Sequence, residues 1–175
     1  MLIFRALYFL LFLLILVSCS KKNIEKSVIK EKSLELQVLE VYDIGKDALE
    51  SGDVLYAAKK FNEVETLFPQ SDWAPKSALM AAYSYYVQDY YSDSIAELER
   101  FIRVYPYHKD VSYAHYLLGI CYFEQIVDEK KDLQSIKSAK MKFEYVLNEY
   151  TNTEYALDAE FKISLINDIL ASKEM

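Results

Sequence analysis

Residues 72–106 read Asp-Trp-Ala-Pro-Lys-Ser-Ala-Leu-Met-Ala-Ala-Tyr-Ser-Tyr-Tyr-Val-Gln-Asp-Tyr-Tyr-Ser-Asp-Ser-Ile-Ala-Glu-Leu-Glu-Arg-Phe-Ile-Arg-Val-Tyr-Pro. Between Pro75 and Pro106 the stretch holds neither glycine nor proline, and two helices are predicted, over 72–88 and 90–104. Small residues stand where the helices must approach closely, at Ala82 and Ser94, and the larger Leu98 fills the angle between them. Pro106 ends the second helix, because it lacks an N–H and disfavours helical geometry at Tyr105.

The same pattern recurs on both sides. Gly45, Ala82 and Gly119 are each 37 residues apart. Small residues follow at Ala57, Ser94 and Ala139, then large ones at Phe61, Leu98 and Phe143; the units close on Phe68-Pro69, Tyr105-Pro106 and Tyr150-Thr151. Further helix pairs are therefore predicted over 36–51 with 53–67 and 109–127 with 132–150, with a seventh helix over 154–172. Gly52-Asp53 supplies the first tight turn between paired helices. Thr151 lies 45 residues after Pro106, so the third unit carries an eight-residue insertion near the charged run Asp128-Glu129-Lys130-Lys131-Asp132, read as a solvated loop. The spaced small residues, aromatics and exit prolines resemble the tetratricopeptide pattern. That resemblance implies an all-α, right-handed solenoid of antiparallel helix pairs, with repeats at about 36–69, 73–106 and 110–151 and a partial fourth at 154–172.

Composition agrees with a helical domain. The 175 residues include only three glycines and three prolines, and they suffice for one domain with a sizeable core. With 27 acidic and 20 basic side chains the net charge is −7, which speaks against a nucleic-acid partner, since phosphate binding needs clustered Lys and Arg. Sixteen tyrosines are too many for an idle soluble surface, so many are expected to be partly buried.

The N-terminus reads as an address. Arg5 precedes an apolar run from Leu7 to Val17, then Ser18 and Cys19, a secretory signal pattern too short to span a membrane as a helix. Leu16-Val17-Ser18-Cys19 resembles the bacterial lipobox, which implies a lipoprotein signal peptide over 1–18, cleavage before Cys19, and acylation of that residue. Several acyl chains on one residue anchor stably where one is marginal. Ser20, rather than an aspartate, follows the cysteine, which under the sorting rule implied by the resemblance favours the outer membrane. Residues 19–35 then form a lipidated flexible tether, polar and without a packing pattern.

Other motifs are more specific than a bare repeat. Asp72-Trp73-Ala74-Pro75-Lys76 with Ala81-Ala82-Tyr83-Ser84-Tyr85-Tyr86, Glu97-Leu98-Glu99-Arg100-Phe101-Ile102 and Tyr113-Ala114-His115-Tyr116-Leu117-Leu118-Gly119 resemble the BamD family, lipoproteins of the β-barrel assembly machinery. The third-unit insertion and Glu154-Tyr155-Ala156-Leu157-Asp158-Ala159 fit the same family, and the resemblance covers roughly residues 36–175. It implies a scaffold, not an enzyme, at the periplasmic face of the outer membrane. Its implied partners are unfolded outer-membrane proteins, a BamA-like barrel subunit and accessory lipoproteins, with the membrane reached through the lipid anchor. Members of that family continue through about two more helix pairs, which dock on the barrel subunit; the chain stops at Met175, so these repeats are expected to be missing from it. Helix 154–172 carries Phe161, Ile163, Leu165, Ile166, Ile169 and Leu170 on more than one face, as an interrupted array would.

In tetratricopeptide proteins the first helix of each pair lines the concave face. That register puts Tyr42, Lys46 and Leu49 inside from the first unit, Lys76, Leu79, Tyr83 and Tyr86 from the second, and Tyr113, Tyr116, Ile120 and Phe123 from the third. An aromatic and aliphatic trough with two lysines suits an extended peptide carrying aromatic side chains and a free carboxylate. The family resemblance supplies a client of that kind, the C-terminal segment of an unfolded outer-membrane protein ending in an aromatic residue. Packing between repeats or against the N-terminal tether is the competing role for the same tyrosines. The Lys and Asn set that clamps carboxylates in other tetratricopeptide proteins is absent, Tyr42 and Lys46 standing in its place.

No catalytic, cofactor or metal site is readable. His108 and His115 are read as structural or surface histidines, and two histidines with one remaining thiol make no metal cluster. Cys121, alone once Cys19 is acylated, reads as a small buried hydrophobe. The alternative function is a periplasmic tetratricopeptide adaptor of the cell-envelope or division machinery.

Overall fold

Local chemistry sets where each helix starts. Ser33 accepts the Leu36 N–H through its hydroxyl (3.4 Å), opening α1 (Leu34–Glu50) two residues before the expected start and drawing the end of the expected tether into the helix. In this computed structural model the described residues are 33–126 and 133–174. The expected signal segment 1–18, Cys19, the tether as far as residue 32 and the charged loop at 128–132 lie outside them. Six more helices follow: α2 (Val54–Leu67), α3 (Trp73–Tyr86), α4 (Tyr91–Val104), α5 (Val111–Glu124), α6 (Leu133–Glu149) and α7 (Glu154–Glu174). Among the described residues there is no strand. Helices α3 and α5 are shorter than the predicted 72–88 and 109–127, because turn geometry takes their ends.

Two turns inside the repeats share one geometry. Gly52 has φ +85°, its N–H donates to Leu49 O (3.1 Å), and Asp53 N–H donates to Ala48 O (2.9 Å). Thirty-seven residues on, Asp89 adopts φ +63° and repeats both bonds, to Tyr86 O (3.0 Å) and from Tyr90 N–H to Tyr85 O (3.1 Å). Aspartate tolerates the left-handed region better than most residues, and here its carboxylate accepts the Tyr91 hydroxyl at 2.6 Å. Turns between units also repeat. Phe68, Tyr105 and Tyr150 donate N–H to Val64 O, Phe101 O and Val146 O at 2.9, 2.8 and 3.0 Å, and Ser71, His108 and Thr153 donate back to Phe68 O, Tyr105 O and Tyr150 O. Thr151 replaces proline in the third unit without changing this turn.

Each helix packs chiefly on its neighbours in sequence, with lesser contacts of α1 on α3 and α5 on α7, the arrangement of stacked antiparallel pairs. Adjacent Ala81 and Ala82 of α3 serve two cores: Ala81 joins Val38, Tyr42, Phe61 and Val64, while Ala82 joins Leu98, Phe101, Leu118 and Phe143. Close crossings obey a volume rule. A Cβ on Gly45 would sit 2.9 Å from the Phe61 ring and one on Gly119 2.8 Å from the Phe143 ring. In the second unit an alanine, Ala82, stands at the glycine position and the smaller Leu98 at the phenylalanine position, both fully buried. The fifteen tyrosines among the described residues partition between core and surface: Tyr42 is buried, most others are half-buried, and Tyr107 is 98% exposed at a turn.

Polar contacts join the second helices of the first two units. Arg100 donates to Glu65 (2.8 Å) and Glu97 (2.7 Å), and the Tyr105 hydroxyl donates to the same Glu65 oxygen at 2.8 Å. Two acceptor groups thus hold the guanidinium firmly protonated against its partial burial. Helix α7 docks through Ala156, Ala159 and Ile166, with Ile163, Ile169 and Leu170 half-buried against the same core. Leu157 and Phe161 face solvent at 72% and 60% exposure. Cys121 is buried, its thiol donating to Ser94 (3.4 Å) and pushed up to about 11 by burial. His115 packs against Tyr145 with its ring tilted by 35° (4.5 Å between centroids), and burial, then the nearby Lys142, pushes its imidazole down to about 4.

Candidate functional site

Helical spacing brings side chains three and four residues apart onto one face. On α3 this aligns Lys76, Leu79, Met80 and Tyr83 along one wall of a pocket of about 420 Å³. Asp110 and Tyr113, at the start of α5, make the second wall, and Tyr155 from the first turn of α7 the third. Leu79 is 8% exposed and forms the apolar floor. The Tyr113 and Tyr155 rings meet at 5.5 Å and 49°, and Tyr155 stacks on Tyr116 at 5.4 Å.

A second tier holds these rings in place. The Tyr116 hydroxyl donates to Asp158 at 2.5 Å, tying α5 to α7. Tyr86 braces Tyr83 at 6.1 Å and rests on Tyr91 at 6.2 Å. Burial raises the Tyr113 phenol well above its ordinary range, and burial together with the Asp158 bond does the same for Tyr116. Both therefore stay neutral at physiological pH. Lys76 reaches back over aromatic faces, its ammonium 4.4 Å from the Trp73 centroid and 5.1 Å from that of Tyr42, a placement in which the ring faces attract the cation.

Of the eleven residues expected in the groove, four line this pocket, Lys76, Leu79, Tyr83 and Tyr113, while Leu49 is half-buried against the first core. Tyr86 and Tyr116 support it from behind. Tyr42 and Ile120 do not open onto a groove; at 5% and 6% exposure they belong to the two cores, Tyr42 packed between Phe61 (5.2 Å) and Trp73 (4.8 Å). Phe123 lies beneath the ammonium of Lys162 at 4.8 Å and against Phe143 at 6.3 Å, and Lys46 is exposed on α1 but lines no part of the pocket. Sequence reasoning missed Met80, Asp110 and Tyr155. The last two had a signal: with spacings of 37 and then 45, they occupy the position that Trp73 holds in the second unit.

Neutral aromatic planes, an apolar floor, one cation and one anion are equipment for binding. Among the described residues no group of three or more His, Cys, Asp and Glu is placed to hold a metal ion, and no helix is long and apolar enough to cross a membrane.

Comparison with known proteins places the chain in a family. A family profile described as "Outer membrane lipoprotein" (YfiO) matches residues 35–175. The outer membrane protein assembly factor BamD of Caulobacter vibrioides is 42% identical over 148 residues, covering 85% of this chain and 47% of that protein. The Rickettsia prowazekii protein of the same name is 31% identical, covering 93% and 62%, and that of Neisseria gonorrhoeae 30% identical, covering 79% and 55%. The chain thus spans about half the length of the curated relatives it matches. Among solved structures, the first tetratricopeptide domain of Spaghetti (RPAP3) bound to an HSP90 peptide aligns with a TM-score of 0.57 at 17% identity, covering 78% of this chain and 94% of that one, which establishes the tetratricopeptide fold. The chain belongs to the YfiO family of outer membrane lipoproteins, the family of the BamD assembly factors.

Proposed function

We propose that this chain is a non-enzymatic scaffold of the β-barrel assembly machinery that receives unfolded outer-membrane proteins in the pocket between α3, α5 and α7. It works at the periplasmic face of the outer membrane, held by lipid on Cys19, beside a BamA-like barrel subunit and accessory lipoproteins. The pocket carries the reading. Three tyrosines over an apolar floor match an aromatic side chain of an extended segment, and the nearby Lys76 ammonium matches a terminal carboxylate. The names of the relatives support the assembly role, and the structural neighbour holds a peptide. Binding is weak, because few aromatic contacts must offset the ordering of a flexible chain.

A labelled peptide of a β-barrel protein ending in phenylalanine, titrated by fluorescence anisotropy, tests it. Tyr83→Ala/Tyr113→Ala, with helicity retained, should weaken binding by about tenfold or more, since each lost ring surrenders about 1 kcal/mol or more of burial. The exposed control Lys137→Ala should bind like the parent. Equal binding by the double variant would make the tyrosines purely structural and refute the pocket as the client site.

A further inference from the structure

The peptide reading leaves one pocket group unused, Asp110. It is the acidic residue of the lining, and among the described residues no hydrogen bond holds its carboxylate. Although it caps the start of α5, its backbone lies at φ −93°, ψ 13°, outside the extended region from which a side chain reaches the following amides, and it makes no side-chain capping bond. Among the described residues only His108 Nδ1 is within ion-pair range, at 3.7 Å. That nitrogen also lies 3.3 Å from the Asp110 N–H, and at 3.7 Å it is beyond hydrogen-bond length of the carboxylate. Lys76 does not pair with Asp110 either, its ammonium being held over Trp73 and Tyr42.

The anion sits beside two rings. Tyr113 and Tyr155, angled at 49°, share the pocket with it, and the Tyr155 phenol is raised by burial first and then by the charges of Glu154 and Asp110. A carboxylate without a hydrogen bond, next to tilted aromatic faces, is the chemistry that holds an ammonium or guanidinium group. At about 420 Å³ the pocket falls within the roughly 300–1,000 Å³ that accommodates ligands larger than one side chain.

We propose that Asp110, Tyr113 and Tyr155 form a cation subsite that takes a lysine or arginine side chain neighbouring the aromatic residue of the bound peptide. This rests on the peptide-binding reading above and adds to it a charge preference set by one residue. The test uses the full chain in detergent and three labelled peptides, identical in their aromatic end and differing at the adjacent position as Lys, Gln or Glu. The parent should bind the Lys peptide about three- to fivefold more tightly than the Gln peptide, as expected for a part-exposed ion pair, and the Glu peptide more weakly still. Asp110→Asn should bring the Lys and Gln peptides within about twofold of each other without weakening the Gln peptide, and Tyr155→Leu should also reduce the Lys preference. Glu160→Gln, an exposed acid on α7 that does not line the pocket, controls for the general acidity of the chain and should leave the order unchanged. A preference that survives Asp110→Asn, or that Glu160→Gln abolishes equally, overturns the subsite while leaving aromatic binding in place. If none of the three peptides binds the parent, the peptide-binding reading falls and the subsite with it.

Discussion

Gly119→Ala is the most discriminating perturbation of the fold. The new methyl carbon would stand 2.8 Å from Phe143 Cε1 and 2.9 Å from Cδ1, closer than carbon atoms approach without displacement. Phe143 cannot swing away: it is fully buried, with the Tyr116 ring at 6.1 Å and the Phe123 ring at 6.3 Å. Alanine is worth about 1 kcal/mol over glycine in a helix interior, whereas overpacking costs about 1–3 kcal/mol, so the variant should lose up to about 2 kcal/mol. Phe143→Leu alone should cost about 1–2 kcal/mol through the space it leaves. Together the two changes recreate the Ala82 and Leu98 pairing of the second unit, so the double variant should equal or exceed Phe143→Leu in stability. A double-mutant cycle measured by urea unfolding and far-UV circular dichroism should then give a coupling of about 1–3 kcal/mol. Effects that add within about 0.5 kcal/mol, or a Gly119→Ala chain more stable than the parent, would refute the crossing as a volume-limited contact.

Two further outcomes concern polar groups. Arg100→Met should destabilise by about 1–2 kcal/mol, because it leaves Glu65 and Glu97 part-buried without their shared cation; adding Glu65→Gln should recover part of the lost melting temperature. His115 is depressed to about 4 from an ordinary value near 6.5. The unfolded chain therefore binds its proton first, and the contribution present above about pH 6.5 should be lost progressively as pH falls toward 4. Unfolding free energies measured across that range should slope for the parent and flatten for His115→Gln; equal slopes would show that the imidazole is not desolvated.

The repeat was legible in the amino acids because its determinants are local. Small residues at fixed offsets, Gly52 at a turn and Pro106 at an exit act through volume and backbone geometry, which neighbours in sequence decide. Asp89 in the left-handed turn was less legible, since its type permits that geometry without demanding it. Exposure along the first helices was decided only by tertiary structure. Lys46, Tyr83 and Ile120 hold one repeat position, 37 residues apart, yet the first is exposed, the second half-buried and lining the pocket, and the third 6% exposed. Tyr42, Leu79 and Tyr116 hold another, and they are respectively core, pocket floor and a brace behind Tyr155. Periodicity sets the direction of a side chain from its own helix axis. What covers that side chain depends on how neighbouring helices pack, and this distant contact is what brings Asp110 and Tyr155 beside Tyr83, 27 and 72 residues away.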